Sequence, residues 1–342
     1  MMRCGADTAA ATRVARREFL RLAGGALGAA VASPLGALGD EPSALPCVTC
    51  FYQFGKAALA ALGGESGLPN GPGHLHIFSH SHPGMRAHPD TANSVRALGS
   101  SFRYALALDL HKYPGWRTAT DDQLKTWARE FRELALEVGG PADYFAFNEM
   151  PTAGAATPEL RAPVIKFIRY LHDPGDGPPL RGVFYFTERN LNPEHWEGES
   201  DDLWRALDET CDLVIGEHYH SFGFVMQYTP EQLADHLFRL PRWLQASGKA
   251  AQVAVAERKY AVMHSSYYGA ETTGWAGVRS DQRGENDLER YFRHLLAATR
   301  CSELGRYRIA FGPLATGGLD QRMLPILARV LRQDAGTGDW GH

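Results

Sequence analysis

Cysteine is scarce, with five in 342 residues, and Cys4 lies in a leading segment set apart below. The remaining Cys47, Cys50, Cys211 and Cys301 are too few for a disulfide scaffold, and three pairings of four thiols are open. A structural disulfide or plain buried thiols are the expected alternatives. Cys47-x-x-Cys50 has no second such pair, which argues against a zinc knuckle. Basic excess is also missing. The formal net charge is −4 and no stripe of Lys and Arg stands out, so nucleic acid is excluded as a partner. Beyond residue 40 no apolar run is long enough to cross a bilayer, so no membrane anchor is expected there. No glycine-rich phosphate turn follows the early apolar runs, so the dinucleotide signature is absent. No internal repeat and no low-complexity linker divides the chain, which favours one domain.

The leading segment has its own pattern. Arg16-Arg17-Glu18-Phe19-Leu20-Arg21 is followed by an apolar, small-residue stretch from Leu22 to Ala32. That stretch is too short to span a membrane and has no polar face. Ala30-Val31-Ala32 or Ala37-Leu38-Gly39 offers small residues for cleavage. The segment resembles the twin-arginine family of bacterial export signals. The resemblance implies that residues 1–39 are removed, that residues 40–342 form the mature protein, and that it works in the periplasm or outside the cell.

The mature region is roughly 300 residues, a normal length for a single α/β barrel. It alternates short apolar runs with amphipathic stretches. The runs are Val48 to Phe54, Leu75 to Ser79, Phe102 to Leu110, Asp143 to Asn148, Gly182 to Thr187, Asp212 to His218, Ala251 to Ala256 and Tyr307 to Phe311. Helical patterns cover Asp121 to Val138, Pro158 to Leu171, Pro230 to Ala246, Glu285 to Cys301 and Gln321 to Leu331. Asp121, Thr157 and Thr229 stand at N-cap positions, the last two followed by proline. Strands that read as continuous apolar runs are covered on both faces. Eight such units predict a (β/α)8 TIM barrel, with an open doubly wound sheet as the alternative.

In such a barrel the chemistry sits where strands end. The fourth run leads into Asn148-Glu149 and the seventh into Glu257. Two carboxylates across a barrel mouth are what glycoside hydrolysis needs, one as acid and one as nucleophile or base. These residues resemble glycoside hydrolase clan A. Leu108-Asp109-Leu110-His111-Lys112-Tyr113-Pro114-Gly115 and His218-Tyr219-His220 resemble segments of its cellulase-like family five. The resemblance implies a retaining enzyme acting on an oligo- or polysaccharide. Glu149 would be its acid/base, Glu257 its nucleophile and Asn148 a ligand of the sugar 2-hydroxyl. His111, His218, Tyr219 and His220 would orient substrate or tune the nucleophile. Trp116 and Trp275 lie in loops, with Tyr113, Trp196, Phe222, Phe224, Tyr267 and Tyr268, and suit stacking on sugar faces. A monomer without cofactor is expected.

Glu188 and Glu217 also stand near strand ends and are rival carboxylates; Glu217 precedes His218 and is able to pair with it. His80-Ser81-His82 supports a different reading, a metal-dependent hydrolase of amidohydrolase type, with His74, His76, His111, His218 and His220 as further imidazoles. A non-catalytic glycan-binding barrel is the third, since fold does not fix function.

Overall fold

Each apolar run that becomes a strand here is short and bounded by polar or glycine-rich residues, so the sheet grows by adding strands. A computed structural model describes residues 47–52, 67–71, 73–81, 91–108, 110, 113–137, 142–148, 157–173, 175, 177–187, 191–196, 200–218, 220–264, 283–301, 308–311 and 323–336. The export-like segment, residues 1–39, lies outside them.

The strands are β1 (Cys47–Tyr52), β2 (His74–Ser81), β3 (Phe102–Leu108), β4 (Tyr144–Phe147), β5 (Arg181–Phe186), β6 (Cys211–His218), β7 (Tyr260–His264) and β8 (Arg308–Phe311). Every strand pairs in parallel with its successor and β8 pairs with β1, closing an eight-stranded barrel. The chain is therefore the expected (β/α)8 barrel, and the open sheet is excluded.

Helices supply the outer ring, beginning with α1 (Thr91–Arg96), α2 (Asp121–Glu137) and α3 (Pro158–His172). After α4 (Asp201–Thr210) come α5 (Phe222–Gln227), α6 (Pro230–Leu237), α7 (Arg239–Ala246) and α8 (Ala250–Ala254); α9 (Glu285–Thr299) and α10 (Met323–Gly336) follow. The apolar spacing of Leu124, Ala128 and Phe131 turns one stripe of α2 inward, and all three are fully buried. Thr229 closes a capping box with Gln232. The cap of α2 is Thr120, one residue before the expected Asp121: Gln123 N donates to its hydroxyl and its own N–H donates to the Gln123 side chain. Thr157 keeps the extended cap geometry without a side-chain hydrogen bond.

Paired residues share a face, so register carries side-chain direction around the barrel. One face runs Phe147–Phe184–Val214–Tyr260, and these belong to the apolar cluster shared with the helices. The other face holds Val48, Ile77, Ala105, Ala107, Ala146, Val183, Leu213, Ile215, Ala261, Met263 and Ala310, which are buried yet absent from that cluster. They fill the barrel interior. Between β5 and β6 the register slips: Cys211 pairs with Gly182, Asp212 is skipped, and Leu213 pairs with Val183. Arg181 grips this bulge, donating from Nε to Asp212 Oδ1 at 2.7 Å and from its terminal nitrogens to the Glu209 and Cys211 carbonyls.

The seventh strand departs from expectation. Ala250–Ala254 is α-helical, Val255–Lys259 is a π-helical turn, and the strand begins only at Tyr260. Alanine and glutamine favour helix, and the buried set Gln252, Ala254, Val255 and Ala256 packs against α4 and α7. Lys259 Nζ, 2.8 Å from Asp208 Oδ1, ties this turn to the last turns of α4. Cysteine expectations resolve as well: Cys50, Cys211 and Cys301 are free, the first two buried. No helix among the described residues is long and apolar enough to cross a membrane.

Candidate active site

The C-terminal ends of the strands define one mouth of the barrel, and the inward-facing residues there form the candidate site. Glu217 shares its face with Ile215 and pairs with the inward Met263; it is 3% exposed. Asn148 N donates to the Leu108 carbonyl at 2.9 Å, extending the β3–β4 ladder past Phe147 and leaving Asn148 on the face of Ala146. Thr187, buried, continues the inward face of β5 beyond Tyr185.

Beneath this level Tyr185 (β5) is hydrogen-bonded to the Cys50 thiol (β1), and the Glu217 charge acts on the same thiol. Burial pushes that thiol up to about 12, so it stays protonated and is no nucleophile. Ala105, Ala107 and Ala146 on β3 and β4 are small, buried and inward-facing. A buried carboxylate at the end of β6 above a phenol and a thiol, with Asn148 at the end of β4 two strands away, is equipped for proton transfer or nucleophilic attack on a bound polar substrate.

Several expected site residues sit elsewhere. Glu257 lies in the turn that precedes β7, at the opposite end of the barrel from the mouth, where it is exposed and accepts a 3.4 Å hydrogen bond from Gln245. The nine-residue shift of the strand removes it from any site with Asn148. His218 is buried but follows Val214 and Gly216 on the helix-facing side, where it is hydrogen-bonded to the Leu237 backbone. His220 stacks on Phe224 at 4.3 Å and lies 5.4 Å from His218. Both imidazoles, expected to orient substrate, thus pack between barrel and helices. With them is His264, paired to His218 and 6.0 Å from the Phe311 ring.

Burial holds His218 well below the usual imidazole range, His220 near about 4 and His264 near about 3, each further lowered by neighbouring imidazoles. All three are neutral at pH 7, and their Nε2 atoms have no hydrogen-bond partner.

Trp116 is 6% exposed within the outer apolar cluster, so it packs the wall instead of offering a sugar platform. Tyr113 packs on Trp127 in a tilted pair with ring centroids 4.8 Å apart, and Trp196 is wedged among Phe186, Trp204 and Trp243. Phe222 is buried against Tyr291. Glu149, His111, Tyr219, Trp275, Tyr267, Tyr268, Glu188 and His82 lie outside the described residues. The backbone of His80 pairs with Leu106 on β3. Among the described residues no group of three His, Cys, Asp or Glu side chains is placed to hold a metal ion.

Little in the sequence marks Tyr185 as a site residue, and Cys50 is legible there only as one of the few thiols. The Arg-Gly-Val-Phe-Tyr-Phe run of β5 is apolar throughout, so alternation could not separate the inward tyrosine from its outward neighbours. Its one signal was a hydroxyl placed where valine or isoleucine is usual.

No protein-family model matches the chain, and no curated protein matches it. Similar solved structures are glycoside hydrolases of barrel form. Active domain 2 of a chitinase from Pyrococcus furiosus is 11% identical over 88% of this chain and 99% of that one, with a TM-score of 0.46. A second structure of that chitinase's catalytic domain gives 11% identity, 88% and 99% coverage and a TM-score of 0.45. Fungal β-1,4-galactanases give 10% identity over 84% of this chain and 100% of theirs, with a TM-score of 0.48. Likeness of this degree carries no argument about chemistry; the barrel itself rests on the strand pairing above.

Proposed function

We propose that the protein hydrolyses a glycosidic bond of an oligo- or polysaccharide in the C-terminal mouth of its barrel, with retention of configuration. Glu217 takes the nucleophile's part and Glu149 that of acid/base. The observation that carries this reading is the buried, inward Glu217 at the end of β6, with Asn148 at the end of β4 and Glu149 next in the chain. The nucleophile then stands one strand earlier than the clan A resemblance implies. In the first step the Glu149 carboxyl protonates the leaving oxygen while the Glu217 carboxylate bonds to the anomeric carbon. In the second, Glu149 takes a proton from water, and that water displaces Glu217. Asn148 hydrogen-bonds the 2-hydroxyl of the sugar undergoing reaction. Retention requires the two carboxyl groups to lie about 5 to 5.5 Å apart.

A panel of soluble polysaccharides, including chitin oligosaccharides and galactan, assayed by reducing-end release, identifies the substrate. On that substrate Glu217→Gln and Glu149→Gln each reduce kcat by about 1000-fold or more, while Glu257→Gln stays within about twofold of wild type. Proton NMR of the first product shows the anomer of the substrate, and EDTA leaves the rate unchanged. Full activity in Glu217→Gln sinks the assignment; loss with EDTA and recovery with zinc replaces it with the metallohydrolase reading. The Arg16-Arg17 segment supports export by the twin-arginine route, tested by periplasmic recovery with and without Arg16→Lys, Arg17→Lys.

A further inference from the structure

The barrel interior holds a polar stack that the proposed reaction does not itself use. Cys50 on β1 and Tyr185 on β5 come from opposite sides of the barrel, yet they are hydrogen-bonded to each other, and both are at least nine-tenths buried. Tyr185 pairs with Ile215, and Glu217 is two residues further along β6 on the same face, so phenol and carboxylate are diagonal neighbours across one strand pair. Cys50 is hydrogen-bonded to the phenol and feels the Glu217 charge.

We propose that Tyr185 is the positioning residue of Glu217, its phenol fixed from below by the Cys50 thiol and its O–H directed to the carboxylate. A thiol that keeps its proton is able to donate it to the phenol oxygen, which leaves the phenol's own hydrogen for Glu217. The chain S–H to O–H to carboxylate then orients the nucleophile and favours its charged form in a site that otherwise penalises charge.

The proposal rests on the reading of Glu217 as the nucleophile, but its principal test does not need turnover. Infrared difference spectra of wild type against Glu217→Gln isolate the Glu217 carboxylate band, which is followed without substrate from pH 8 downward for as long as circular dichroism shows the fold intact. In Tyr185→Phe the midpoint of that band rises by about one pH unit or more, the size expected for losing a hydrogen bond to a charged acceptor. Cys50→Ala moves it in the same direction by less, and Cys50→Ser, which keeps a donor, returns it towards wild type. On the hydrolysed substrate, Tyr185→Phe lowers kcat by about tenfold with little change in KM, and the acidic limb of its pH–rate profile moves with the band.

A midpoint unchanged in both Tyr185→Phe and Cys50→Ala overturns the proposal whatever the enzyme acts on. If Tyr185→Phe fails to fold, Cys50→Ala alone decides it. Absence of hydrolysis beside a shifted band leaves the positioning role standing and rejects the glycosidase reading instead.

Discussion

Lowering the pH from 7 to 5 strains the buried imidazoles, and the loss of stability follows from their surroundings. His76 is fully buried, bonded to Thr49 and to the Pro69 carbonyl, and is held near about 4, with desolvation the main cause. His220 is lowered to about 4 and His264 to about 3, again chiefly by burial. The groups facing His264 and His220 are themselves imidazoles, His218 and His236 among them, so a proton entering the cluster meets no carboxylate partner among the causes of the shift. In the unfolded chain each histidine titrates near about 6.5. Their folded values are depressed, so the unfolded state binds protons first as pH falls, and stability is lost from about 6.5 down towards the folded values. At pH 5 an unfolded imidazole is favoured by a factor of about 30 over a folded one of pKa about 4, which is about 2 kcal/mol per group. At pH 7 the corresponding term is a few tenths of a kcal/mol or less.

Urea unfolding followed by tryptophan fluorescence, at pH 7 and pH 5 and constant ionic strength, measures the difference. Carboxylates contribute to acid loss in any protein, so the decisive quantity is a double difference. In His264→Gln the loss between pH 7 and 5 is smaller than in wild type by about 2 kcal/mol, whatever the variant's stability at pH 7. An equal loss in the two proteins would falsify the account of a neutral, desolvated His264.

Two further outcomes test the packing. A Cβ on Gly216 would overlap the Tyr260 hydroxyl and lie 2.9 Å from a Leu191 methyl, so Gly216→Ala destabilises by about 1–3 kcal/mol and lowers the urea midpoint at unchanged slope. Asp212→Ala leaves Arg181, three-quarters enclosed, without its carboxylate, and costs about 1–3 kcal/mol; a change within about 0.5 kcal/mol would show that the two carbonyl contacts hold Arg181 unaided.

Most of the barrel was legible as rhythm. Phe102–Leu108, Arg181–Phe186 and Cys211–His218 are apolar on both faces because interior and helices bury both, and each ends within two residues of its expected limit. The misread strand failed for a related reason. Val253-Ala254-Val255-Ala256 is as apolar as a strand, but it is buried by α4 and α7 as the end of a helix, and the true strand Tyr260-Ala-Val-Met-His lies just past two cations. That shift carried Glu257 from the expected mouth to the opposite end. Direction was the other illegible quantity. Glu217 and His218 are adjacent and equally buried, and nothing in their own sequence tells which faces the interior; the pairing with Met263 and His264 decides it.

The skipped residue in β6 thereby acquires a meaning beyond local irregularity. Cys211 faces the helices and Leu213 the interior, two positions that an unbroken strand would have put on one side. Everything above Asp212 inherits that inversion. Were Asp212 paired with Val183 instead of skipped, the His218 imidazole would face the mouth and the Glu217 carboxylate the aromatic wall; a chain without Asp212 would keep both where they are. Which of Glu217 and His218 enters the interior is therefore decided at the far end of the sixth strand, five residues before Glu217, by whether Asp212 is skipped or paired.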